Sequence, residues 1–456
     1  MSALRPTLRG NHLTHPTRTT PTPQKGRHMK TRGASIAACL TIGTLFLTAC
    51  GSGSDGAAGG DSGPITLKFQ SLSDQPAAIA ATESIVSDWN EANPDVQVEI
   101  VPAGWDGIYD KLITQFNGGA APDIIHYEAA SIVPFAADGY LADLSEHMSD
   151  EFRADVPEGI LDAVTVDDKV IAYPTELQSY MVFANKTLLD AAGVTIPTGE
   201  TMTWDEMRAI AQATTKDGTY GLGWGLKSPT AAYMAFAPGF GGTYFEGSGA
   251  DATLTVGEGE MAVPNLVDTM AFEDKSILPV TLSQTGSETL ATFYAGQVAM
   301  TIQGSFQAAN IATDAPEGFD WIVLPPLEGS EGAEQAANPQ TLSVNIDSKH
   351  VDESAEFIEF FTQTENLAAL NEADALIPAT TSAQEALAAK LGTENGWDVI
   401  LSSGQHLVSA PYLFVDAYAQ WKDTVATPAY QRFLAQEIDA DGVATELTTG
   451  WEEITK

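Results

Sequence analysis

Between residues 65 and 125 the rhythm of apolar and polar positions switches repeatedly between two and the helical ~3.6. Ile65, Leu67 and Phe69 alternate with polar residues, which predicts a strand. Ile79, Thr82, Val86 and Trp89 share one helical face, and Pro94 stops that helix. Val96, Val98 and Ile100 alternate again. Trp105–Asn117 reads as a helix with Ile108, Leu112, Ile113 and Phe116 inward, closed by Gly118-Gly119. Ile124-Ile125 is a short buried strand. The order β-α-β-α-β implies a parallel sheet by the crossover rule. Ligands of such sheets lie beyond the carboxyl ends of the strands, where Ser71–Gln75 and Tyr127–Ala130 fall.

The middle of the chain repeats the α/β alternation. Thr203-Trp204-Asp205-Glu206 fits a capping box, with Met207, Ile210 and Ala211 continuing the helix. Tyr220–Leu226, Gly239–Gly242 and Gly247–Gly249 are glycine-rich and read as loops. Val298–Ile302 and Trp321–Leu324 read as strands, the second ended by Pro325-Pro326. Val351–Thr364 reads as a helix with Ala355, Ile358 and Phe361 on one face, and the last ninety residues as mainly helical. No internal repeat, heptad or charge block occurs.

Before this body the character changes. Met1–His28 is rich in Pro, Thr, Arg and His and has no apolar period. From Met29, Lys30 and Arg32 precede an apolar stretch of ~14 residues, too short for a bilayer span and right for a signal peptide. Met29 is therefore the expected start, with Met1–His28 an over-extended gene start. Leu47-Thr48-Ala49-Cys50 resembles the bacterial lipobox, which implies cleavage before Cys50 and lipidation there. Gly51–Gly63 reads as a flexible tether.

Composition narrows the function. The 456 residues carry 21 Lys and Arg against 61 Asp and Glu, a net charge of −40. Loss of residues 1–49 removes seven basic residues and no acidic one, so the net charge goes from −40 to −47. Such a chain is a poor ligand for nucleic acid or an anionic membrane, since phosphate neutralisation needs cations. Cys39 and Cys50 are the only cysteines, which excludes a disulfide framework and a multi-cysteine metal site.

Several segments, in order, resemble the family 1 extracellular solute-binding proteins of bacterial ABC importers, whose best-known branch binds maltose. They are Tyr109-Asp110-Lys111-Leu112 with Gly118–Asp123, Gly139–Leu144, Asp168–Pro174, Phe183–Lys186 and Ala191–Pro197 with Thr203–Glu206. Ala295–Met300 with Gly304, Ala355–Phe361 and Ile377-Pro378-Ala379 complete the set. The match covers roughly Ile65–Ala429. The resemblance implies an α/β, periplasmic-binding-protein-like type II fold: two α/β lobes, a hinge crossed more than once, and a ligand cleft between them. It divides the chain into 64–173 with 325–361 for lobe one and 174–324 with 362–456 for lobe two. Residues 50–63 form the tether.

The implied function is capture of a mono- or oligosaccharide and delivery to importer permease subunits by a monomeric, lipid-anchored, extracytoplasmic protein. No cofactor or metal is called for. Sugar sites need aromatic faces for pyranose C–H surfaces and planar polar groups for hydroxyls. Asp74 and Gln75 follow the first strand, although Asp74 is also a helix-cap candidate. Tyr127 and Glu128 follow the third. Glu176 and Gln178 lie at the first hinge crossing; by count from Pro174 to Asn185, Gln178 stands where the maltose-binding branch has a sugar-binding glutamate. Gln303, Ser305 and Phe306 flank Gly304, with Phe306 resembling a stacking position. Trp224, Phe240 and Tyr244 in glycine-rich stretches, and Tyr412 with Phe414 after Pro411, are further aromatic candidates; Asn338 and Gln340 are weaker ones. His126 reads as a packed histidine.

The rival readings are a polyol or glycerol phosphoester binder, a sensor or adhesin lipoprotein, and a hydrolase. A phosphoester would want cations near the site, and only fourteen basic residues remain after residue 49. The enzyme reading lacks a nucleophile elbow, a P-loop and HExxH. Asp439-Ala440-Asp441-Gly442 lacks the twelve-residue calcium order and reads as a helix-end turn.

Overall fold

The computed structural model describes Pro64–Lys456 apart from Asp106. The signal segment, Cys50 and the tether lie outside the described residues. Ten strands concern the site: β1 (Ile65–Ser71), β2 (Val96–Pro102), β3 (Ile124–Glu128), β4 (Tyr173–Leu177), β5 (Tyr180–Asn185), β6 (Tyr220–Trp224), β7 (Val298–Gly304), β8 (Trp321–Leu324), β9 (Gln340–Val344) and β10 (Ile377–Pro378). Among the described residues, six of them form one sheet in the order β10-β4-β9-β3-β1-β2 and four form another in the order β8-β5-β7-β6. The fold is that of a type II periplasmic binding protein.

The first sheet begins with β1 paired parallel to β2 and β3. Two helices make the expected crossovers, α1 (Pro76–Ala92) and α2 (Ile108–Asn117). α1 buries Thr82, Val86 and Trp89 as the periodicity predicts. It turns Ala78 and Ile85 inward as well, and leaves Ile79 39% exposed. Two later helices, α3 (Val351–Phe361) and α4 (Thr364–Asp374), return to this sheet. Phe357 and Phe361 of α3 each meet Phe69 of β1 at 5.7 Å, and Trp89 meets Phe357 edge-on at 5.5 Å. Each such buried side chain contributes ~1.5–3 kcal/mol.

The helical reading Val351–Thr364 thus ends at Phe361, with a new helix from Thr364. α4 packs on α1, and β10 pairs antiparallel to β4. Thr364–Pro378 therefore sits with the first sheet, where the sequence division had put 362–456 wholly with the second lobe. Contacts of α4 with α1 are long-range and leave no periodic signal.

In the second sheet β7 pairs antiparallel to β5 and parallel to β6. Tyr220–Trp224, read from its glycines as loop, is strand β6. A Cβ on Gly221 would lie 2.1 Å from the Ala211 carbonyl oxygen, so the glycine permits close helix–strand approach. The capping box at Thr203 and Glu206 is formed. Trp204, Trp224 and Phe236 pack together, with Trp204 edge-on to Phe236 at 5.2 Å.

The chain passes between sheets at Gln178-Ser179, from β4 to β5. Gln335 clasps this crossing: its Oε1 accepts from the Tyr180 N–H at 2.8 Å and its Nε2 donates to the Tyr180 carbonyl at 3.1 Å. The Ser179 carbonyl accepts from the Ser305 N–H at 2.8 Å, joining the end of β7 to the same crossing.

Candidate functional site

The strand directions bring the carboxyl ends of β1, β2, β3 and β4 to one edge of the first sheet, together with the amino ends of β9 and β10. At that edge Gln340 of β9 pairs with Glu128 of β3 on one side and Glu176 of β4 on the other. A register shift between Gln340 and Thr341 leaves Thr175 as an extra residue in β4. Such a bulge re-aims the neighbouring side chain, here Glu176. From the second sheet the carboxyl end of β7 contributes Phe306.

A cleft of about 340 Å³ results, lined by Leu72, Asp74, Gln75, Trp105, Glu128, Glu176, Leu177, Gln178, Phe306, Asn338, Gln340, Asp374 and Leu376. Its size falls in the range of small-molecule sites, ~300–1,000 Å³. Six of the predicted residues meet here: Asp74, Gln75, Glu128, Glu176, Gln178 and Phe306. The two weaker candidates, Asn338 and Gln340, join them. Asp74 is exposed and caps nothing, since Gln75 occupies the N-cap of α1 without a side-chain bond.

The polar groups are held by neighbours. Glu128 accepts from Ser131 Oγ at 3.1 Å and from Asn338 Nδ2 at 2.9 Å, and the Ala130 N–H donates to Asn338 Oδ1 at 2.9 Å. Gln340 Oε1 lies 2.6 Å from His126 Nε2, while His126 Nδ1 accepts from the Leu72 N–H at 3.1 Å. That pair of bonds defines a neutral ring protonated on Nε2. Burial lowers the His126 pKa to about 4. Glu176 is 1% exposed and its Oε1 has no hydrogen-bond partner. Burial, and then the nearby Asp374 carboxylate, push its pKa well up. Asp374 is raised to about 6 by burial and by Asp74.

Trp105 and Asp374 were not among the candidates. Trp105 had been absorbed into a helix that begins only at Ile108, after Gly107 at φ +70°. It is 36% exposed, edge-on to His126 at 6.0 Å and tilted over Tyr127 at 6.1 Å. Its place just past the carboxyl end of β2 was the available signal. Asp374 at the end of α4 had no such signal.

The other candidates lie elsewhere. Tyr127 is 8% exposed and backs Trp105 without lining the cleft. Trp224 and Gln303 line a neighbouring chamber of about 320 Å³ that shares Gln178 and Phe306 with the main cleft and includes Lys227. Trp224 is also a core residue, edge-on to Tyr233 at 6.1 Å. Gln303 Nε2 is committed to the Gly286 carbonyl and Thr301 Oγ1 at 3.0 and 2.9 Å. Ser305 is fully buried at the crossing. Phe240 packs on Trp204 in the second core, and Tyr244 is buried with its hydroxyl 2.7 Å from that of Tyr430. Tyr412 is buried and stacked on Tyr418 at 4.4 Å, with its hydroxyl pKa raised by burial. Phe414 is half-buried against the core.

Two lobes about a multiply crossed hinge, with a polar and aromatic cleft at their facing edges, define a small-solute binding protein. The chain belongs to the family of bacterial extracellular solute-binding proteins, whose model matches residues 73–368. It is 37% identical over 409 residues to an uncharacterized lipoprotein of the oleD 5′ region of Streptomyces antibioticus, covering 89% of this chain and 88% of that one. The sugar-binding protein MalE of Xanthomonas citri superposes with a TM-score of 0.75 at 20% identity, over 86% of this chain and 97% of that one. The GacH receptor of Streptomyces glaucescens, solved unliganded and with acarbose, gives 0.71 at 22% identity, over 86% and 98%. Among the described residues no helix is long and apolar enough to cross a membrane.

Proposed function

We propose that the protein captures a saccharide in the cleft and delivers it, without chemical change, to the permease of an ABC importer. The observation that carries this reading is the pair of rings that line one cleft from the two sheets. Trp105 follows strand β2 of the first sheet and Phe306 strand β7 of the second, and the same cleft is lined by the amides of Gln75, Gln178, Asn338 and Gln340 and the carboxyl groups of Asp74, Glu128, Glu176 and Asp374. Rings take the C–H faces of a pyranose, and the planar polar groups take its hydroxyls. The sugar ligands of the MalE and GacH proteins support the same reading. Contacts from both walls favour the closed form by differential affinity, so ligand shifts the population toward it. The protein acts as a monomer, tethered outside the cytoplasm by lipid on Cys50.

A thermal-shift panel of mono- and oligosaccharides, polyols and glycerol phosphoesters tests this. Ligand at ~100 times its dissociation constant adds about 2.7 kcal/mol to stability. A shift with sugars, and recovery of the sugar intact, is expected. A shift confined to phosphoesters, or hydrolysis of the bound sugar, would sink the reading. For the anchor, Cys50→Ala should release the protein from the membrane fraction.

A further inference from the structure

Four carboxyl groups line the main cleft, on Asp74, Glu128, Glu176 and Asp374, and no lysine or arginine does. Glu128 is accounted for by Ser131 and Asn338. The other three are not. Glu176 is buried to 1% exposure at the cleft wall with Oε1 unpartnered; the Asp374 carboxylate lies near it, and Asp74 lies near Asp374. A buried polar oxygen without a partner costs ~1–3 kcal/mol, and at a ligand wall a donor on the ligand would remove that cost. A metal ion does not fit, because among the described residues no group of three or more His, Cys, Asp or Glu side chains could hold one. Lys227, the cation bordering the adjoining chamber, interacts with Glu288.

We propose that the cleft selects a saccharide bearing a protonated amine, with the ammonium seated at Glu176 and Asp374 and the sugar ring against Trp105 and Phe306. This rests on the saccharide reading above. The ammonium supplies the missing donors and a countercharge in a partly desolvated place, where pairing is stronger than in water.

Proton balance provides a signature. In the empty cleft burial, and then the Asp374 carboxylate, favour the protonated form of Glu176. Seating the ammonium ionises Glu176: its O–H bond breaks, the proton leaves to solvent, and the carboxylate accepts from N–H of the ligand. The group facing Glu176 from a packed element is Asp374, with Asp74 next to Asp374 and with Glu128 and the neutral His126 on β3, two strands from β4.

Titration calorimetry of the protein at about pH 6, where the probe amines are already ionised, in two buffers of different ionisation enthalpy, tests this. The probes are di- and trisaccharides of glucosamine and the matching glucose sugars, with a linear polyamine and calcium chloride as controls. The amine-bearing sugars are expected to bind about tenfold tighter or more, with a proton released that the glucose sugars do not release. Glu176→Gln should abolish the release and collapse the preference, and Asp374→Asn should weaken both. Equal or tighter binding of the glucose sugars overturns this inference while leaving the saccharide reading intact. Binding of the polyamine or calcium in place of any sugar, or silence from both sugar sets, overturns both.

Discussion

His126 holds Gln340 in place: the ring Nε2 lies 2.6 Å from Gln340 Oε1, and the same ring accepts the Leu72 N–H on Nδ1. One buried imidazole thereby ties the loop after β1 to the first residue of β9, two separate walls of the cleft. The bond from the Leu72 N–H requires an unprotonated Nδ1 and hence the neutral ring.

The ring should therefore stay neutral through the physiological range. Its pKa is lowered to about 4, against ~6.5 unfolded. Its stabilisation is full above the unfolded value and is lost as pH falls from ~6.5 towards 4, since the unfolded chain binds the proton first. NMR should show no titration of the His126 ring between about pH 5.5 and 8. A midpoint near 6.5 would refute the tautomer. His126→Ala should weaken ligand binding about tenfold by freeing Gln340.

Glu176 and Asp374 trade stability for binding. Their pKa values are raised, so the folded state holds protons that the unfolded state has lost. Stability then falls as pH rises from ~4 to the folded pKa, about 6 for Asp374, and stays lower above it. Asp374→Asn or Glu176→Gln should raise the melting temperature at about pH 8, by roughly 1 kcal/mol or more, and much less at about pH 4. Affinity for ligand should fall. Melting curves across pH with matched titrations check both halves; a variant less stable at high pH would contradict the carboxylate environment.

Trp105 and Trp224 should respond oppositely. Trp105 is 36% exposed at the cleft, so Trp105→Ala should cost about 10–100-fold in affinity with little loss of stability. Trp224 is 2% exposed within an aromatic cluster, so Trp224→Ala should cost about 3–5 kcal/mol of stability. Ligand should change Trp105 fluorescence, a signal that the Trp105→Phe variant lacks. Tyr127→Phe, behind Trp105, should alter affinity by no more than about threefold.

Gly304 is needed for its lack of a side chain. A Cβ there would lie 2.5 Å from Phe306 Cε1 and 3.0 Å from Gln178 Cδ. Gly304→Ala should displace both cleft residues and reduce affinity at least about tenfold, while costing about 1–3 kcal/mol in stability. Retention of full affinity would remove Phe306 and Gln178 from the binding surface.

The alternation at Ile65, Leu67 and Phe69, the face of Thr82, Val86 and Trp89, and the capping box at Thr203 were legible because each is a local rule within one element. The ordered segments from Tyr109 to Ala379 were legible as a family because their order is itself a sequence property. Half of the candidate positions, among them Glu128, Glu176 and Phe306, reach the main cleft because residues at strand ends have a defined place along the sheet edge. Tyr220–Trp224 misled because glycine signals a loop locally, while here it serves close packing on Ala211.

The sequence by itself determined the α/β alternation, the family and the polar and aromatic stock of the strand ends. Tertiary structure alone decided which of them share a cleft. Asp374 meets Glu176 only because α4 returns to pack on α1, and Trp224, Phe240 and Tyr412 turn away because long-range aromatic packing claims them. The protonation of Glu176 and His126 depends on the water each loses and the charges each meets, which are properties of the folded surroundings and not of the residue's neighbours in the chain.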